Sequence, residues 1–176
     1  LSAMARDGGD VQQSGISLGS NGDFTFVETL HSEASEIACR AVDLLGAKSV
    51  KGGQYTVVLD PVLAGVFIHE AFGHLSEADH LYEDHRMKDM MYMGRRFGKP
   101  HLNVVDGAAV ENLRGSYRYD DEGVASTKSI LLREGILGGR LHSRETAAAM
   151  GEPPTGNARA ISSRFPPIVR MTNTYI

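Results

Sequence analysis

The chain's 176 residues, 41% hydrophobic and 23% charged, suit one ordinary domain or parts of two and exclude a disordered segment. A formal charge of -4 gives nucleic-acid phosphates no general attraction, so nucleic-acid binding is not expected. No apolar run approaches the roughly 18 residues that cross a bilayer, so no membrane association is expected. The single cysteine, Cys39, cannot form an internal disulfide and fits a reducing compartment, which makes the cytoplasm the expected location.

The start, Leu1-Ser2-Ala3-Met4-Ala5-Arg6, lacks the apolar core of a signal peptide. A chain that opens on Leu1 and closes on the strand-like residues 171–176 reads as a piece of a longer protein. Residues 1–22 are rich in Gly, Ser, Asp and Gln and predict a loop or frayed end. Ala34, Ile37, Ala38, Ala41, Val42 and Leu45 recur at helical spacing, with Thr29 or Ser32 as cap and Gly46 as terminator. Cys39 sits among these apolar residues and is expected to be a buried, inert thiol. Residues 55–59 are β-prone, and Asp60-Pro61 then starts a second helix carrying Val62, Leu63, Val66 and Phe67. The charged, Met-rich residues 75–98 predict an irregular helix packed on one side, or an adaptable contact surface.

Beyond Lys99-Pro100 the pattern turns to strands. Residues 102–105 and 116–119 predict short strands, with Asp106-Gly107 as a turn. Residues 130–133 and 137–142 predict a hairpin around Glu134-Gly135. Asp120 to Gly123 and Pro154 to Asn157 read as turns, and His31, His101 and His142 as surface residues. The fold class is α+β. Residues 1–98 end an N-terminal α/β domain with the His-Glu helix, and residues 99–176 begin a β-rich, antiparallel C-terminal domain.

His69-Glu70-Ala71-Phe72-Gly73-His74 carries the chemistry. Two imidazoles and a carboxylate on one short element are the raw material of a hydrolytic zinc site. A third ligand would leave a fourth position for water, with Glu70 taking its proton during attack on a carbonyl. The histidines are five apart, however, and in a regular α-helix the second ring is turned about 140° from the first. Both reach one ion only if the helix widens, as in a π-bulge, or breaks; Gly73 permits either. The spacing therefore predicts a distortion between Ala71 and His74. The competing reading makes His69 a satisfied core histidine in line with Val62 and Val66. Asp79, His80, Glu83, Asp84 and His85 can all bind zinc chemically, and equally form a solvated face.

His69 to His74, followed by Glu77 and Asp79, resembles the H-E-x-x-x-H segment of the TldD family, the partner family of PmbA (TldE) proteins. Arg114-Gly115-Ser116, Asp120-Asp121-Glu122-Gly123, Glu134-Gly135-Ile136-Leu137, Pro154-Thr155-Gly156-Asn157 and Arg170-Met171-Thr172-Asn173-Thr174-Tyr175 resemble further family landmarks in the same order. The resemblance covers about residues 24–176. It implies a zinc-dependent peptidase with His69 and His74 as ligands, Glu70 as the catalytic carboxylate, and a third ligand, a cysteine, beyond Ile176. It also implies an enclosed cavity that admits unfolded or extended peptides. The expected assembly is a dimer, with a PmbA/TldE-like subunit or with itself. The alternative is a non-catalytic modulator of gyrase or of a toxin-antitoxin pair, in which the motif is structural.

Overall fold

The computed structural model describes residues 1–20 and 22–176, and its contacts divide the chain into two units, Leu1–Val57 and Val58–Ile176. In the first unit β1 (Ser2–Asp7) and β2 (Asp10–Gly15) pair antiparallel, from Ser2 opposite Gly15 to Asp7 opposite Asp10. This corrects the expected loop. The strands carry Arg6, Gln12 and Gln13, so no apolar alternation announces them, whereas Gly8, at φ +55, closes the turn between them. α1 (His31–Leu45) packs on both strands and buries Ile37 and Ala41. Its N-cap is Leu30, with no side-chain cap; Thr29 instead donates to the Phe26 carbonyl and Ser32 to Glu33. Cys39 is exposed, not buried, because it lies two residues from both Ile37 and Ala41 and so off their face of the helix. Residues 55–59 form no strand: they find no ladder partner among the described residues, and Val58 is fully exposed.

The second unit begins with α2 (Pro61–Ile68). Asp60 Oδ1 accepts from Val62 N at 2.9 Å and Leu63 N at 3.1 Å, and Pro61 occupies the first turn, where its missing N–H costs nothing. A π turn (His69–Gly73) and a 3-10 turn (His74–Ser76) continue the same rod. Two short helices follow, α3 (Asp79–Tyr82) and α4 (His85–Met90), rather than one irregular helix. Asp84 separates them by capping α4 through Arg86 N and Met87 N. Among the described residues, no helix is long and apolar enough to cross a membrane.

A four-stranded antiparallel sheet supplies the wall against which these helices pack. It contains β3 (Val104–Gly107), β4 (Lys128–Arg133), β5 (Ile136–Leu137) and, at its far edge, β8 (Thr174–Tyr175), in the order β5-β4-β3-β8. The hairpin forms around Glu134 and Gly135 as expected, but its second strand is only Ile136–Leu137 and not 137–142; both turn residues have positive φ, 51 and 75, the two-residue turn that matches strand twist. Asp106-Gly107 lies inside β3, not in a turn. Asp106 is buried, and its carboxylate accepts from Asn157 Nδ2, Thr172 N, Thr172 Oγ1 and Thr174 Oγ1 at 2.7 to 3.0 Å. These donors leave the carboxylate satisfied in a place the sequence pattern marks as solvent.

Residues 116–119 form no strand; Tyr119 makes one isolated bridge to Ala125 across the Asp120–Gly123 turn, where Gly123 has φ +76. α5 (Arg144–Met150), not anticipated from the sequence, starts on a capping box between Ser143 and Thr146. β6 (Ala158–Arg159) and β7 (Ile168–Val169) form a small antiparallel hairpin. The core of this unit gathers Ile68, Phe72, Leu81, Leu131, Leu132, Leu141, Val169 and Met171. The fold is α+β: helices bearing the His-Glu segment, then antiparallel sheets.

Candidate metal centre

The helix does widen. The His74 N–H donates to the His69 carbonyl, a bond reaching five residues back instead of four, and His69–Gly73 is a π turn. The added residue returns His74 to the face of His69. The two rings meet edge to face, with centroids 4.9 Å apart and planes at 83°. The turn is held by what it buries: Phe72 enters the core, and Gly73 lies against Met171, whose Sδ a Cβ at position 73 would strike. The signal for this was the Gly preceding the second histidine.

Glu70 stands between the imidazoles. Its Oε1 lies 4.0 Å from His69 Nε2 and its Oε2 3.8 Å from His74 Nε2. One donor atom from each of the three residues falls within 4.8 Å of the others, the group of possible metal ligands among the described residues. Two zinc–nitrogen bonds of about 2.1 Å at a tetrahedral angle put nitrogens about 3.4 Å apart. The half-exposed imidazoles reach that spacing with a side-chain shift of about an ångström, so the donor set fits such an ion.

A residue whose part the sequence did not disclose completes the arrangement. His74 Nδ1 faces Glu77 Oε2 at 3.1 Å, and Glu77 is 1% exposed. The other oxygen of Glu77 accepts from Met171 N at 3.3 Å, with Arg170 Nη1 at 3.9 Å. A carboxylate accepting at Nδ1 places that ring's proton there and leaves Nε2 bare, aimed at Glu70. The spacing of three residues from His74 to Glu77 was visible; the burial was not.

The other acidic and imidazole groups near the motif do different things. Asp79 Oδ2 accepts from Val169 N at 2.5 Å and braces β7, and burial raises the Asp79 carboxyl above its ordinary range. Asp84 caps α4. His80, Glu83 and His85 do not join the trio. His142, expected at the surface, is 1% exposed, between Thr146 Oγ1 at 3.1 Å and Glu152 Oε2 at 3.0 Å. Burial pushes its imidazole below the ordinary value, against the opposing pull of Glu152.

Beside the trio opens a cavity of about 670 Å³. His69, His74 and Glu77 form one wall; Arg159, Ile168 and Arg170, from the β6–β7 hairpin and the residue after it, form another. Ile161 and Phe165, from the loop joining the two strands, add apolar surface.

Residues 52–176 match the model of the PmbA/TldA metallopeptidase C-terminal domain. The chain is 51% identical over 176 residues to a metalloprotease of Synechocystis sp., covering 100% of this chain and 38% of that protein. It is 44% identical over 177 residues to a metalloprotease of Methanocaldococcus jannaschii, covering 100% of this chain and 39% of the relative. A zinc metalloprotease TldD homolog of Saccharolobus solfataricus is 40% identical over 138 residues, 78% of this chain and 30% of its own. Among solved structures, TldE from Thermococcus kodakarensis superposes with a TM-score of 0.58 at 16% identity, over 97% of this chain and 38% of that one. The chain thus spans less than two fifths of the length of each of these relatives.

Proposed function

Because the chain belongs to the PmbA/TldD metallopeptidase family, we propose that its π turn is the metal-holding and proton-transferring part of a zinc-dependent peptidase. The observation that carries this reading is the convergence of His69 and His74 on one face across five residues, with Glu70 between them. His69 and His74 hold the metal, with a third ligand assigned by family resemblance to a cysteine beyond Ile176. The name of the Saccharolobus relative supports zinc as the ion. A bound zinc ion supplies a Lewis acid that polarises the scissile carbonyl.

The chain's own residues do the rest. Glu70, 67% exposed at its side chain, takes the proton of the attacking water and delivers it to the leaving amine nitrogen. Glu77 holds His74 in one tautomer and one orientation. The cavity receives an unfolded or extended peptide, whose backbone can hydrogen-bond to a strand edge. By resemblance to the TldD family, the assembly is a dimer with a TldE-like subunit or with a second copy. We place the protein in the cytoplasm, in keeping with its lone thiol, and read residues 1–98 and 99–176 as parts of two domains of the longer protein.

The test is the full-length protein carrying this chain, assayed for bound zinc and for cleavage of an unstructured peptide. Glu70→Gln is expected to keep the zinc and to lower the cleavage rate by about 10²- to 10⁴-fold. Cleavage that survives this change removes Glu70 as the base. A wild-type protein that holds no zinc and cleaves nothing favours a modulator of gyrase or of a toxin-antitoxin pair.

A further inference from the structure

The β6–β7 side of the cavity carries two arginines, Arg159 and Arg170. Arg159 sits on β6 opposite Ile168 on β7, while Ala158 pairs with Val169. The pairing continues one residue further, where Arg170 N donates to the Asn157 carbonyl at 2.8 Å. Ala158 and Val169 are buried, so alternation puts Arg159, Ile168 and Arg170 together on the other face, the one that lines the cavity. Arg159 and Arg170 are diagonal neighbours there, with backbones roughly 7–8 Å apart.

The acids nearby meet this charge at Arg170 but not at Arg159. Arg170 has Glu77 at 3.9 Å. Asp120 and Asp121, which adjoin β6, accept from backbone N–H groups, of Ala158 at 3.0 Å and of Ala160 at 2.7 Å. The Arg159 guanidinium has no hydrogen-bond or ion-pair partner among the described residues. A guanidinium presents a planar fork that matches a carboxylate in two parallel bonds. Ile161, Phe165 and Ile168 line the same cavity and present exposed apolar surface to it.

We propose that Arg159, with Arg170 beside it, forms a subsite for a carboxylate of the peptide substrate, either an acidic side chain or a free C-terminus. Ile161, Phe165 and Ile168 then cover an adjoining apolar residue. This subsite deepens the peptidase reading above and rests on it for its role in cleavage.

The experiment uses the full-length protein and one unstructured peptide in three forms: neutral with an amidated end, the same with one Gln changed to Glu, and the same with a free C-terminus. One carboxylate-bearing form is expected to show a KM about tenfold below that of the neutral form, and which one does so identifies the source of the carboxylate. In Arg159→Gln the ratio falls to about one, in Arg159→Lys it is partly kept, and Arg159→Glu prefers a lysine-bearing peptide. Equal KM values for the three forms, or a preference that survives Arg159→Gln, overturn the subsite. Binding of the same peptides to the Glu70→Gln protein, followed by fluorescence anisotropy, separates the two readings. Preference in binding without cleavage by the wild type sinks the peptidase and leaves the subsite. Cleavage of all three forms with no preference sinks the subsite alone.

Discussion

Glu77 shows how a single buried carboxylate governs the site it does not occupy. Its Oε2 faces His74 Nδ1, and its Oε1 is fixed by Met171 N, which lies 94 residues later in the chain. Neutralising it in Glu77→Gln removes the carboxylate charge that faces His74 Nδ1 and orients the ring. Zinc affinity of the full-length protein is expected to fall about 10- to 100-fold in a chelator competition, and an unchanged affinity would deny Glu77 its orienting role. His69, Glu70 and His74 were legible because their spacing is local. The burial of Glu77 was not, because partners distant in sequence create it. His142 was missed for the same reason, since Glu152 and Thr146 enclose it only in the fold. Burial there favours the neutral ring, so the folded pKa lies below the ordinary 6.5 of the unfolded chain. Folding then binds fewer protons between those two values. The stabilisation is full above about pH 6.5 and is lost as pH falls through the folded value. Urea unfolding at pH 7.5 and at pH 5.5 is expected to show lower stability at the acid point, with the difference reduced in His142→Gln. A pH dependence that His142→Gln leaves unchanged would assign it to other groups.

At the level of the element, the π turn amounts to one residue added to an α-helix. Removing Ala71, which is exposed, lets the rod relax to ordinary α geometry, with the histidines four apart and still on one face. The Ala71 deletion is therefore expected to retain zinc within about tenfold of wild type, measured by the same competition. Complete loss of zinc would mean that the ligands need the π turn itself and not merely a shared face. The start of α2 was readable because Asp60-Pro61 is a local cap, and the turn at Glu134-Gly135 because its dihedrals demand such residues. β1 and β2 were not, being polar strands tied by a turn, and the β-prone residues 55–59 lack a partner strand among the described residues. Propensity identified them as strand; pairing decides.

For the whole molecule, long-range polar anchoring does what short elements cannot. Asp106 gathers donors from residues 157, 172 and 174, drawing β3, β8 and the segment before β6 together. Asp79 then fixes β7 beneath the cavity. In the second unit the order of helices before antiparallel strands was evident in the residue pattern, while α5 and the Asp106 network required the tertiary contacts to be seen. This framework brings the β6–β7 hairpin to the cavity that opens beside the π turn, so the site belongs to the second unit as a body. Anomalous diffraction at the zinc absorption edge, from crystals of the full-length protein, tests this most directly. The expected result is a strong peak bonded to a ring nitrogen of His69 and to one of His74, with the His74 N–H still donating to the His69 carbonyl. A peak touching only one of the two rings, or a regular α-helix that turns them apart, would contradict it.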